Sequence, residues 1–222
     1  MNIEIDTLIR TKRRTIALIV ERDGSLTVRA PKRATSFAIE AFVREKADWI
    51  ARTREKLISI VEIPKKQYAN GEKFLFQGNE YELKLVEHQR PALKFDHGFY
   101  LAAASQQRGE FVFTRWYKEQ AFMVISERIS AFTQQHGFVP KRIKITSART
   151  RWGSCSADGT LNFTWRLMMA PLDVIDYVVV HELGHLRVKN HSTRFWKVVE
   201  GMMPEYRMRR KWLRENGETL GL

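Results

Sequence analysis

The hydrophobic pattern changes period several times along the chain. Thr15 to Val20 is an apolar run rich in branched side chains, and Ser25 to Ala30 follows it after an Asp-Gly pair. That spacing predicts a hairpin turning through Glu21-Arg22-Asp23-Gly24 and ending at Pro31. From Ser36 to Ile60 the period becomes helical. Phe37, Ile39, Phe42, Val43, Ala47, Trp49, Ile50 and Leu57 recur at that spacing, so one long helix is expected. Pro64 to Gly71 is a basic, turn-rich break. A second hairpin is expected from Lys73 to Phe76 and Glu80 to Val86 around Gln77-Gly78-Asn79, with one or two further strands between 92 and 102. Ser105 to Gly109 is small and polar and reads as a linker.

Residues 110–135 carry a second helical stripe, formed by Phe111, Trp116, Ala121, Phe122, Ile125, Ile129 and Phe132 and closed by His136-Gly137. Three short strands are expected at Arg142 to Ser147, Arg149 to Cys155 and Thr160 to Leu167, the last two joined through Ser156-Ala157-Asp158-Gly159. Pro171 opens a helix that runs to about Val188. Another helix covers roughly 192–203, and a basic tail follows Pro204. The expected organisation is α+β in two parts. Residues 1–104 form a β-rich N-terminal portion with one long helix, and residues 105–222 form a second domain.

Composition narrows the classes. Hydrophobic residues are 44% and charged residues 28%, an ordinary globular balance that excludes disorder as the main state. A single cysteine excludes a disulfide framework and a four-cysteine zinc site. No apolar run reaches the roughly 18–20 residues that span a bilayer, and the N-terminus lacks the basic start and apolar core of a signal peptide. A cytoplasmic protein with no membrane partner is therefore expected. The excess of 38 Lys+Arg over 25 Asp+Glu gives +13, which suits an anionic partner and also keeps a protein soluble. Arg207, Arg209, Arg210, Lys211 and Arg214 surround Trp212 in the tail. With Lys12-Arg13-Arg14 they could face nucleic acid or a nucleotide, or simply form a solvated helical face.

Chemistry concentrates at His181-Glu182-Leu183-Gly184-His185, an H-E-x-x-H pattern. Histidines four apart on a helix share one face, so both imidazoles can reach one Zn²⁺. The carboxylate beside the first is then placed to meet a metal-activated water and take its proton. The run Tyr177-Val178-Val179-Val180 has strand-like branching, but Pro171, the length and the motif argue for a helix. A catalytic zinc generally takes three protein ligands. His191, six residues past His185 and beyond a helix end at Lys189-Asn190, is the expected third, with Glu200 and Glu205 as runners-up. His88, His97 and His136 have no partner pattern. Cys155 beside a turn reads as structural rather than as a nucleophile, and the Met168-Met169 and Met202-Met203 pairs as core filler.

A family resemblance rests on longer strings. Arg151-Trp152-Gly153-Ser154-Cys155, Leu161-Asn162, Trp165-Arg166-Leu167, Ala170-Pro171, Asp176 through Leu186, Asn190-His191-Ser192, Phe195-Trp196 and Pro204-Glu205-Tyr206 together resemble the YgjP-like metallopeptidases, relatives of the WLM and SprT-like zinc peptidases. The resemblance implies a zincin-like core with a small antiparallel sheet beside the motif helix. It also implies His181, His185 and His191 as zinc ligands and Glu182 as the catalytic carboxylate. It further gives the strand from Arg149 to Cys155 a role as the sheet edge that pairs with an extended peptide. The alternative for that strand is an internal position with Trp152 in the core. Tyr206, Tyr177, Arg151 and Asn162 have the chemistry to stabilise an oxyanion. The expected function is zinc-dependent hydrolysis of peptide bonds in unfolded protein or peptides. Its rivals are metal-dependent hydrolysis of phosphoanhydrides such as nucleoside triphosphates, and nucleic-acid binding with a structural metal.

Overall fold

Leu26, Val28 and Ala30 alternate with Thr27 and Arg29 along one strand, and their buried side chains seed the core of a first compact unit, Met1–Ile63. The structure, a computed structural model, describes residues 3–21, 23–59 and 66–222. Arg22 of the expected hairpin turn, Ile60 at the expected helix end, and Pro64 and Lys65 of the expected break lie outside those residues, as does the side chain of Leu57. The hairpin is present as β2 (Ala17–Val20) and β3 (Leu26–Pro31), paired antiparallel. A strand that the pattern did not announce, β1 (Thr7–Thr11), pairs parallel with the other side of β3. Four of its five residues are exposed, so no buried face imposes an alternation on its sequence.

The expected single helix is two, α1 (Ser36–Glu45) and α2 (Ala47–Ser59). Thr35 caps α1 by accepting the Ala38 N–H at 3.2 Å. Lys46 leaves helical geometry at the junction, with φ −97° and ψ 14°. Ile39, Val43 and Ile50 form the inward stripe, while Phe37 and Trp49, expected in it, face outward.

The second unit, Pro64–Leu222, holds the motif helix. It begins with β4 (Lys73–Phe76), β5 (Asn79–Val86), β6 (Leu93–Phe95) and β7 (Phe99–Ala102), in the order β4-β5-β7-β6. Gln77 and Gly78 both take positive φ, which closes the two-residue hairpin between β4 and β5. The tip of that hairpin is anchored. Gln77 N–H donates to Met168 O at 2.7 Å and Gly78 N–H to Met169 O at 3.2 Å, and a Cβ on Gly78 would strike Pro171.

Residues 103–108 are a short 3-10 helix with Ser105 buried, not the expected linker. The break between compact units falls between Ile63 and Pro64 rather than between 104 and 105. The physical reason is close packing: Gly109 has no room for a Cβ against the Tyr68 ring, so this segment is part of a core. It leads directly into α3 (Gly109–His136), which ends on left-handed Gly137. The buried stripe of α3 is Phe113, Tyr117, Ala121, Ile125 and Ile129, a run of four-residue steps. Phe111 and Phe122, expected in that stripe, are 66% and 55% exposed.

The strands beside the motif helix are β8 (Arg142–Thr146), β9 (Gly153–Cys155) and β10 (Thr160–Thr164), in the order β8-β10-β9. β10 runs parallel to β8 and antiparallel to β9. The sheet is therefore mixed, not antiparallel as expected. β9 turns back on one side of β10 and leaves the other side for β8. A 3-10 helix from Trp165 to Met169 then leads into α4 (Leu172–Arg187), α5 (Thr193–Met202) and α6 (Tyr206–Asn216). No helix among the described residues is long and apolar enough to cross a membrane.

One ion pair ties α3 to α4. Arg128 grips the nearly buried Asp176 through Nε at 2.6 Å and Nη2 at 2.7 Å, a two-pronged contact. Replacing Asp176 by Ala should lower the unfolding free energy by about 2–3 kcal/mol, below the full buried-pair value because Arg128 keeps some solvent. Urea unfolding tests this, and a loss under about 1 kcal/mol would show that water screens the pair.

Candidate metal centre

α4 is helical despite its valines because it is covered on nearly all sides. Val174, Ile175, Val178, Val179, Val180 and Leu183 are all buried, with α3, α5, α6 and β9 packed around them. A helix that is apolar all round belongs in a core, so local branching loses to tertiary burial. The only fully polar side chains it carries inward are Asp176 and Glu182.

His181 and His185 lie one turn apart, with ring centroids separated by 4.9 Å. Val188 ends the helix, and Asn190 turns the chain by accepting the Ser192 N–H at 3.2 Å. His191 is thereby brought back, its Nε2 3.0 Å from Nε2 of His181. One donor atom from each of the three histidines lies within 4.8 Å of the others, and among the described residues no other group of His, Cys, Asp or Glu does so. Glu200 and Glu205 are elsewhere engaged, with Arg207 at 3.8 Å and Arg209 at 3.5 Å. His88, His97 and His136 join no such group.

The surroundings fix the rings. His185 Nδ1 lies 3.0 Å from the Val188 carbonyl, which can only accept, so Nδ1 carries the proton and Nε2 keeps its lone pair. Phe195 stacks on His185 at 4.4 Å and is fully buried. Gly184 has a Cβ-sized space of only 3.1 Å to that ring. Trp196 flanks His181 and His191 at 5.8 and 5.9 Å. Burial, reinforced by the two neighbouring imidazoles, drives the His181 pKa down to about 3, and burial also lowers that of His185. Both are therefore neutral at ordinary pH. Three imidazoles are a donor set that suits Zn²⁺.

Glu182 is 4% exposed, and its Oε2 has no hydrogen-bond partner. Burial pushes its carboxyl up to about 8. Buried polar atoms are ordinarily paired, so an orphan oxygen next to three converging imidazoles fits a site completed by a cation and water. The position of Glu182 is set by β9. A Cβ on Gly153 would lie 2.5 Å from Glu182 Oε1, so only glycine lets the strand pass this close.

β9 is the sheet edge, which decides between the two positions expected for it. Trp152 O accepts from Thr164 N–H and Ser156 N–H donates to Thr160 O. In an antiparallel ladder the alternate residues, Gly153 and Cys155, then turn their main-chain groups to the open side. Ser154 and Asn162 face away from Gly153's Glu182 side and line a polar cavity of about 160 Å³ with Arg151, Trp152 and Thr164. Asn162 donates to Ser154 O and Oγ at 3.3 Å, so two of the four oxyanion candidates, Asn162 and Arg151, belong to that other cavity. Tyr177 and Tyr206 remain with the histidines. The Tyr177 ring is 5.9 Å from His181, and burial pushes its phenol up to about 12. Tyr206 stacks on Trp196 at 5.2 Å. Cys155 is a free thiol raised by burial, with Lys189 Nζ 3.7 Å from its sulfur.

Sequence reasoning missed Arg210, which it placed with the basic tail as a group. Its guanidinium stacks over Trp196 at 4.6 Å. The i, i+4 spacing with Tyr206 and the Trp196 partner were both visible in the sequence, but not that α6 folds back onto α4 and α5.

A mixed α+β unit that brings three imidazoles together, with a buried carboxylate in the same helix turn, has the makings of a metal-dependent hydrolase. The model of the YgjP-like family, described as a metallopeptidase domain, matches residues 14–216, and the chain belongs to that family. It is accordingly a metallopeptidase by family, in agreement with the resemblance read from the strings around the motif. Among solved structures, the metallopeptidase zymogen abylysin of Pyrococcus abyssi is similar over 41% of this chain and 93% of its own, with 18% identity and a TM-score of 0.38. Comparison with curated proteins returned no match.

The Gly153 contact gives a direct test. Gly153→Ala should cost about 1–3 kcal/mol of stability through overpacking against Glu182, while metal titration still finds one site per chain. Unchanged stability would show that β9 and Glu182 separate without cost.

Proposed function

We propose that the chain is a zinc-dependent peptidase with a zincin-like core, in which His181, His185 and His191 hold Zn²⁺ and Glu182 moves the proton. The observation that carries this reading is the convergence of the three imidazoles beside a buried, unpartnered carboxylate oxygen. Bound Zn²⁺ supplies Lewis acidity, drawing the pKa of a water towards 7 and polarising the scissile carbonyl. The protein's own groups do the rest. The charge of a bound Zn²⁺ would offset the burial that raises the Glu182 carboxyl and favour its ionised form; Glu182 Oε2 then accepts the proton of the attacking water and returns it to the leaving amine. Val188 holds His185 in the ligating tautomer through its carbonyl. Phe195 and Trp196 wall the imidazoles and limit water.

The open edge of β9 supports a peptide as substrate. A substrate strand added there would use the outward main-chain groups of Gly153 and Cys155, beside Glu182. Such a substrate must be extended, which favours unfolded protein or loose peptide. The basic tail supports nucleic acid less well. Arg207, Arg209 and Arg214 pair with Glu200, Asp173 and Glu215 at 3.8, 2.8 and 3.8 Å, and Lys12-Arg13-Arg14 belongs to the other compact unit.

Two expected outcomes test the reading. Purified protein should hold one zinc per chain by elemental analysis, and His191→Ala should lose most of it. Full zinc in His191→Ala with loss in Glu200→Ala or Glu205→Ala would overturn the ligand set. Glu182→Gln keeps shape but cannot take a proton, so cleavage of a denatured protein should fall roughly 10²- to 10⁴-fold with zinc content unchanged. Chelation of the parent should abolish the same cleavage. Robust nucleotide hydrolysis lost in Glu182→Gln, with no peptide cut, would replace the peptidase by a phosphoanhydride hydrolase.

A further inference from the structure

The cations around the histidines are unevenly matched. Of the arginines along α6, Arg207, Arg209 and Arg214 each meet a carboxylate. Arg210 meets none among the described residues, although its guanidinium is held in place. It lies over the indole of Trp196 at 4.6 Å. That indole is stacked on Tyr206, with an angle of 13° between the rings, and is within 5.9 Å of His181 and His191. The shared indole therefore places the guanidinium on the side of α6 that carries Trp196 and, through it, the histidines. Lys189, whose ammonium lies 3.7 Å from the Cys155 sulfur on β9, is likewise without a carboxylate partner among the described residues. Arg210 and Lys189 are thus two cations without a carboxylate partner among the described residues, while Glu182, next to His181 in the chain, is buried.

An arginine stacked on an aromatic face has lost most of its torsional freedom and presents its planar fork edge-on. That is the arrangement that binds a carboxylate with two parallel hydrogen bonds. We propose that Arg210, supported by Trp196, is the specificity residue of the cleft and binds a carboxylate of the substrate. The inference rests on the peptidase reading and names the substrate class for it: peptides that place a negative charge near the bond to be cut. The carboxylate has two possible sources, an Asp or Glu side chain or the free C-terminus of a short peptide.

The test uses zinc-loaded full-length protein and three matched peptides. One has an internal Glu and an amidated C-terminus, one has Gln at that position and the same amide, and one has Gln with a free C-terminus. Binding is measured with Glu182→Gln, which leaves the peptides uncut, and cleavage with the parent. One of the two charged peptides should bind roughly tenfold more tightly than the neutral one, the scale of a solvent-accessible charge-assisted contact. Whichever does so identifies the source. Adding Arg210→Gln should collapse that ratio to about one, whereas Arg210→Lys, which keeps charge but not the fork, should retain only part of it. A Trp196→Leu change should weaken the preference by removing the platform. No preference for either charged peptide, or a preference that survives Arg210→Gln, overturns the proposal. An equal loss on charged and neutral peptides also overturns it, because the ratio is then unchanged and Arg210 serves the reaction rather than selectivity. Failure of the peptidase reading would look different: the parent would cut none of the three peptides and no denatured protein, whatever the binding ratio.

Discussion

The structure of the second unit depends on one constraint, the burial of the middle of α4, from Val174 to Val180 and from Glu182 to Gly184. Over those residues there is no solvent face on which to put polar groups, so each one they carry is expected to be answered by a neighbour. Asp176 is answered by Arg128 from α3. His185 is answered by the Val188 carbonyl at the helix's own end. Glu182 Oε2 and His181 Nδ1 are left unanswered. The helix is thus held as a core element, and its unanswered groups are gathered where the chain returns with His191. The hairpin tip at Gln77-Gly78 serves the same end. It fixes the segment that feeds α4 by bonding to Met168 and Met169 and leaving no space at Pro171.

The candidate centre was more legible in the sequence than the fold around it. Histidines four apart on a helix define a face without reference to tertiary structure, and His191 could be brought back because Lys189-Asn190 reads as a helix end. The strand edge was undecided, because an edge and an interior strand of three residues look alike in sequence. Its assignment came from the ladder: Trp152 and Ser156 bond to β10, and nothing among the described residues pairs with the other side of β9.

Elsewhere the errors share a cause. Phe37, Trp49, Phe111 and Phe122 have the hydrophobicity of core residues and face outward. Periodicity registers side-chain chemistry, whereas the direction of the buried stripe is set by what a helix packs on. The linker expected at Ser105 to Gly109 is packed structure for a related reason. That segment is small and polar like a linker, yet small residues are also what close packing demands, and Gly109 against Tyr68 is the second case. β1 was invisible because four of its five residues are exposed and carry no buried alternation.

The brevity of β9 has a consequence for how the protein behaves towards copies of itself. An open strand edge is the usual point at which folded chains adhere and grow into shared sheets. β9 is only three residues long and starts on a glycine. Its outward donors and acceptors are too few to hold another folded molecule by its backbone. The arrangement therefore keeps an open strand edge from becoming a seed for aggregation.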